Sequence, residues 1–134
     1  MQINSIDTNN FEGRFIIKRK TNMQKCQFIR ESFNFPYNGK SNNQILDKKS
    51  YDVDVYQTSK RHMYLVSKYK THNFDLHIRE KAIINKVSLN DNLSTVAENV
   101  RKHIAIVDAK KKNDDGFNSF GERIKTYFKM VLGL

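Results

Sequence analysis

Residues 51–81 constrain the fold more than any other stretch, because apolar and polar side chains alternate there at the period of a β-strand. Tyr51, Val53 and Val55 alternate with Asp52, Asp54 and Tyr56. Successive strand side chains point to opposite faces, so the first set belongs to a core and the second to water. Met63, Leu65 and Tyr69 alternate with Tyr64, Val66 and Lys68, and Phe74, Leu76 and Ile78 alternate with Asp75, His77 and Arg79. The connections, residues 57–61 and a tight turn around Thr71, His72 and Asn73, are too short for a crossover helix. The expectation is three consecutive antiparallel strands with one apolar face.

Upstream, residues 11–20 read as a strand with Phe15 and Ile17 on one face. Residues 26–35 read as a second, with Ile29, Phe33 and Phe35 opposite Cys26 and Phe28. Paired as a hairpin, they extend the sheet to four or five strands. Pro36, Tyr37, Asn38 and Gly39 form a turn signal. Residues 40–50, with only Ile45 and Leu46 as apolar anchors, read as a long mobile or binding loop. Residues 81–86 lead out of the sheet.

A helical period follows. Leu89, Leu93, Val96, Val100, Ile104 and Val107 recur at steps of three and four, behind a capping box of Ser88 and Asp91. Lys110, Lys111 and Lys112 suit the end of that helix. Asn113, Asp114, Asp115 and Gly116 read as a turn. A second helix is capped by Ser119 and Glu122 and stapled by Phe117, with Phe120, Ile124, Phe128, Val131 and Leu132 on its stripe. The fold class expected is α+β: an antiparallel meander with two C-terminal helices on one face. The 134 residues suit a single domain with a polar arm (1–10), a β-rich part (11–87) and a helical part (88–134).

Net charge is +10, with an excess of +4, +4 and +2 over residues 1–40, 41–87 and 88–134. A diffuse positive field favours polyanions. Cations interleave with aromatics, as on sheets that bind single strands, and the candidate polyanion-binding residues are Arg14, Lys18, Lys20, Lys60, Arg61, Tyr64, Lys68, Lys70 and Arg79. Tyr127, Met130, Val131, Leu132 and Leu134 widen the last helix's apolar surface, marking a candidate partner-binding cluster.

Catalytic signals are thin. The single cysteine, Cys26, allows no internal disulfide and reads as a buried structural thiol. Of the four histidines, His77 shares a strand face with Asp75, with Asp52 and Asp54 across the sheet, but no paired metal-ligand spacing appears. There is no phosphate loop and no nucleophile elbow. No catalytic residue, metal or cofactor is assigned. Neither a signal peptide nor a membrane span is visible, so a cytoplasmic or intravirion setting is expected. Abundant Asn, Lys, Ile, Phe and Tyr imply AT-rich codons, which suit a phage or mobile element. The leading expectation is a non-catalytic assembly protein docking onto a larger complex, as a virion component or an inhibitor of a host nucleic-acid enzyme, with a protein partner or homo-oligomer. The alternative is direct nucleic-acid binding through a basic, aromatic-containing sheet face.

Overall fold

The computed structural model describes residues 12–72 and 78–132; for His72, Ile78 and residues from 115 onward it describes the backbone alone. The elements run β1 (Phe15–Arg19), α1 (Met23–Asn34), a short 3-10 turn (Tyr37–Gly39), α2 (Asn42–Leu46), β2 (Val53–Gln57), β3 (His62–His72), β4 (Ile78–Ser88) and α3 (Leu93–Leu132). The architecture is α+β, a four-stranded mixed sheet with three helices, in strand order β1-β2-β3-β4.

The period-two reading holds for β2 and β3. Val53, Val55, Met63, Leu65 and Tyr69 are buried, while Asp54, Tyr56, Tyr64 and Val66 are half-buried and Lys68 is exposed. Asp54, Val55, Tyr56 and Gln57 pair antiparallel with Val66, Leu65, Tyr64 and Met63. Beyond that, β3 pairs with β4 without a register break from His62↔Ser88 to His72↔Ile78. Thr71 and His72 therefore belong to β3 rather than to a turn, and residues 81–86 are the body of β4 rather than an exit from the sheet. The neighbours Ile83 and Ile84 interrupt the apolar alternation, which hides the strand in the sequence. The turn at Asn73 and the strand expected from Phe74 fall partly on residues 73–77, outside the described residues.

The second strand expected at residues 26–35 is a helix. Asn22 caps α1, its Oδ1 accepting from the Lys25 amide at 3.0 Å. Cys26, Ile29 and Phe33, spaced by three and four, are its buried face. With a helix between β1 and β2, β1 does not join the antiparallel meander of β2, β3 and β4. They pair parallel, Phe15↔Val53 through Ile17↔Val55, with an irregularity before Arg19↔Tyr56. Phe15 stacks on Phe33 of α1 at 3.9 Å between ring centroids.

Residues 40–50 are pinned, not loose. Ser41 and Gln44 form a reciprocal capping box on α2. Asn42 is fully buried, donating to Ala97 O and accepting from Arg101 Nε. Arg101 also donates to the carbonyls of Tyr37 and Lys40 and lies over the Tyr37 ring. Before that, Asn38 and Gly39 adopt positive φ (54° and 86°), as the turn signal required.

One helix stands where two were expected. Its cap is Asn92, whose Oδ1 accepts from the Thr95 amide, so Ser88 stays in β4 and Leu89 precedes the helix. The backbone then continues through residues 113–116 to Leu132. A glycine inside a helix costs only about 1 kcal/mol, which a 40-residue helix absorbs. Val96, Val100, Ile104 and Val107 are the buried stripe. They pack with the buried residues of β2, β3, β4, α1 and α2 in one core on one face of the sheet.

Gly13 enters β1 under close constraint. Its amide donates to Lys49 O at 3.0 Å, and a Cβ there would stand 2.6 Å from Leu46 O and nearer still to Tyr51 O. Both obstacles are backbone. Gly13→Ala is expected to destabilise the fold by about 1–3 kcal/mol, as overpacking does. Urea denaturation checks this; a loss under about 0.5 kcal/mol, the range of neutral surface substitutions, contradicts it.

Candidate functional site

The face of the sheet opposite the helices has no layer over it among the described residues. Strand parity puts Ile16 and Lys18 of β1, Asp54 and Tyr56 of β2, Tyr64, Val66, Lys68 and Lys70 of β3, and Ala82, Ile84 and Lys86 of β4 there. Ile84 is 61% exposed, unusual for so large an apolar side chain at the middle of a strand.

Pairing register organises this face into rows. One runs Tyr56, Tyr64, Lys86, and the irregularity after Ile17 brings Arg19 of β1 beside Tyr56, so that the row crosses all four strands. Two half-buried tyrosines stand side by side with an exposed cation at each end. With strands about 4.8 Å apart, the row spans roughly 14 Å. The next row is Ile16, Asp54, Val66, Ile84.

Strand direction then sorts charge. β1 and β2 run parallel, and two antiparallel pairings return β4 to the same direction. β2 carries acid at its start and base beyond its end, Asp52 and Asp54 before Lys60 and Arg61; β1 and β4 have mixed charge at their starts, Glu12 with Arg14 and Glu80 with Arg79 and Lys81, and base alone at their ends, Lys18, Arg19 and Lys20 for β1 and Lys86 for β4. The C-terminal ends of all three meet, and Thr21 and Asn22 donate to Gln57 Oε1 there. That end gathers Lys18, Arg19, Lys20, Lys60, Arg61 and Lys86, all exposed, with Asp91 in the connection to α3 as the acid nearest in sequence. Toward the opposite end lies a depression of about 870 Å³ that reaches back to Lys18 and is lined also by Glu12, Arg14, Asp52, Asp54 and Lys68, where the charges are mixed. The Arg14 amide donates to Asp52 Oδ1 at 3.0 Å.

Of the nine polyanion candidates, Lys18, Tyr64, Lys68 and Lys70 share the open face. Lys20, Lys60 and Arg61 join its basic end, and Arg14 rims the depression. Arg79 does not belong: it pairs with the buried Thr71, which puts it on the helix-side parity of the sheet. Arg19, Tyr56 and Lys86 complete the row. Lys86 was hidden by the early end assigned to the sheet. In the partner-binding cluster, Tyr127, Met130, Val131 and Leu132 have only their backbone described, as part of α3, and Leu134 lies outside the described residues. The proposed pairing of His77 with Asp75 also lies outside them.

A second polar group looks catalytic by composition and is not built for it. Ser67 Oγ stands 2.8 Å from His103 Nε2, and His103 Nδ1 stands 2.5 Å from Asn85 Oδ1. Asn85 Oδ1 accepts from Nδ1–H, which leaves Nε2 of a neutral imidazole to accept the hydrogen bond from the Ser67 hydroxyl. Ser67 and His103 are sealed beneath α3, at 0% and 1% exposure, among the described residues. Burial pulls the His103 pKa down from 6.5 to about 4. Two more polar links hold α3: Tyr51 OH donates to Asp108 Oδ1 at 2.8 Å, and Tyr69 OH donates to Asp114 Oδ2 at 2.6 Å. Burial and the Asp108 carboxylate raise the Tyr51 pKa, and the bond from Tyr69 lowers that of Asp114, with help from Lys81.

Among the described residues, no three His, Cys, Asp or Glu side chains group to hold a metal ion, and no helix is long and apolar enough to cross a membrane. No family model, curated protein or solved structure matches the chain.

The neutral His103 sets an acid limit on the fold. Its folded pKa lies below the unfolded one, so the unfolded chain takes up the proton first as pH falls. Stability present above pH 6.5 is therefore lost between 6.5 and about 4, at up to about 1.4 kcal/mol per pH unit. Urea denaturation across that window checks it: His103→Gln should flatten the slope. An equal slope in both proteins contradicts the assignment.

Proposed function

We propose that this chain is a non-catalytic binding protein whose open sheet face takes single-stranded nucleic acid. The observation that supports the reading is the row Tyr56, Tyr64, Lys86, with Arg19 brought beside Tyr56 by the irregularity in β1, on a face without a covering layer among the described residues. Aromatic rings on a sheet give unpaired bases a stacking surface, and flanking cations take the phosphates. The surrounding cations, Lys18, Lys20, Lys60 and Arg61, extend the phosphate track past the ends of the strands.

Chemistry favours a single strand over a duplex. A duplex hides its bases' flat faces, leaving the tyrosines nothing to stack on. Sequence preference is expected to be weak, since every base offers a π-face. The acidic side chains Asp52 and Asp54 repel phosphate from the other end of β2, so the strand is expected to cross the basic end of the face.

Fluorescence anisotropy with a labelled single-stranded oligonucleotide tests the reading. Affinity should fall with salt, log K against log[salt] having a slope of about −0.7 for each phosphate contacted. Lys86→Ala should make that slope shallower by about one contact. Tyr64→Ala should cost about 1–3 kcal/mol with little change in slope, and Tyr64→Phe should retain binding, because the ring does the stacking. No binding at low salt, or equal binding of Tyr64→Ala, refutes the proposal.

A further inference from the structure

We propose that β4 is a self-association edge, through which two copies of this chain pair antiparallel with Ile83 on the two-fold axis. β4 ends the sheet, so its outer row of amide and carbonyl groups faces no strand among the described residues. Such an edge is a template for another strand. The opposite edge is a poor one: β1 has five residues and an irregular register. β4 has eleven residues, no proline and an unbroken register with β3.

The side chains of β4 favour one partner and one alignment. Its centre, Ala82, Ile83, Ile84 and Asn85, is uncharged. Lys81, paired with Asp114 on the other face, and Lys86 border it, with Glu80 one place further out; Glu80 and Lys86 are exposed, and neither makes an ion pair among the described residues. A two-fold axis perpendicular to the sheet puts residues of the same parity opposite each other. With the axis at Ile83, Glu80 of each copy stands opposite Lys86 of the other, and Ala82 stands opposite Ile84. Opposite charges at facing positions stabilise a strand pair, and like charges oppose it. Sliding the axis by one residue to Ala82 or Ile84 loses both charge pairs. The exposed Ile84, beside Val66 of β3 in the single chain, gains Ala82 of the other copy as a second cross-strand neighbour. The dimer has a continuous eight-stranded sheet with both open faces on one side. A strand edge charged only to repel partners would not place unlike signs opposite each other under its own two-fold.

Sedimentation equilibrium on the full chain, free of nucleic acid, tests this without reference to the nucleic-acid reading. The wild type should be a concentration-dependent dimer. Glu80→Lys and Lys86→Glu should each weaken it on the order of tenfold or more, since each turns two attractive pairs into two repulsive ones. The double exchange Glu80→Lys with Lys86→Glu should restore it. Circular dichroism of each variant establishes that the fold is retained. A chain monomeric at every accessible concentration overturns the proposal. So does a dimer that survives both single reversals, as one held by the far end of α3 would, and so does a double exchange that fails to recover.

Discussion

Burial of one stripe of α3 against one face of the sheet is the contact on which the remaining architecture depends. Val96, Val100, Ile104 and Val107 meet the odd-numbered side chains of β2, β3 and β4 in a single core. Each such side chain contributes about 1.5–3 kcal/mol when fully buried. The polar links along the same helix, at His103, Asp108 and Asp114, each contribute about 1 kcal/mol net. Apolar burial therefore decides that the helix docks. The links decide where: Ser67, Tyr51 and Tyr69 meet their partners in only one alignment of helix and strands. A slip of one turn would strand a buried serine and a buried histidine without partners, a larger penalty than the bonds' net worth.

One-sided burial has a direct consequence for the opposite face. In a strand, every residue committed to the core commits its neighbours to the other side. Packing therefore does not select the even-numbered residues of β2 and β3, and they are free to carry other chemistry. They carry tyrosine and lysine. A solvated face needs no aromatic side chains, so the pair Tyr56 and Tyr64 calls for an explanation that lysines alone would not. The group of the sealed Ser67 and His103 with the half-buried Asn85 makes the complementary point. It combines residue types found in hydrolases, yet lies on the committed face, where solvent access rather than composition decides what it can do.

How much could be read from the chain depended on whether a pattern had one period or two. β2 and β3 were legible because alternation over Val53, Val55, Met63 and Leu65 fits nothing but a half-buried strand. α1 was not, because Ile29 and Phe33 are four apart, a spacing common to both periods. Cys26 and the cap at Asn22 are what separate them. That one misreading turned a parallel crossover into a hairpin. The box of Ser41 and Gln44 was legible in principle, and shows why residues 40–50 are held despite few apolar side chains. The turn signal at residues 113–116 was outweighed by the helix on either side. On the open face, Tyr64 and Lys68 followed from alternation alone. Lys86 needed the true length of β4, and Arg79 needed its register.

The crossover also explains the charge pattern of the sheet. In the segments containing β1, β2 and β4 acid is confined to the leading ends, beside Arg14 in one and Arg79 and Lys81 in another, and base alone stands at the trailing ends, a polarity with no effect on whether any one of them forms. Because α1 makes β1 parallel to β2, and β3 returns β4 to the same direction, the three polarities add. Had β1 run the other way, its cations would have stood beside Asp52 and Asp54, and the field across the sheet would have been largely cancelled. The same polarity within β4 alone is what sets Glu80 against Lys86 when that strand meets its own copy reversed. Topology thus converts one repeated sequence bias into two different things: a basic end when strands align, and a self-complementary edge when they oppose.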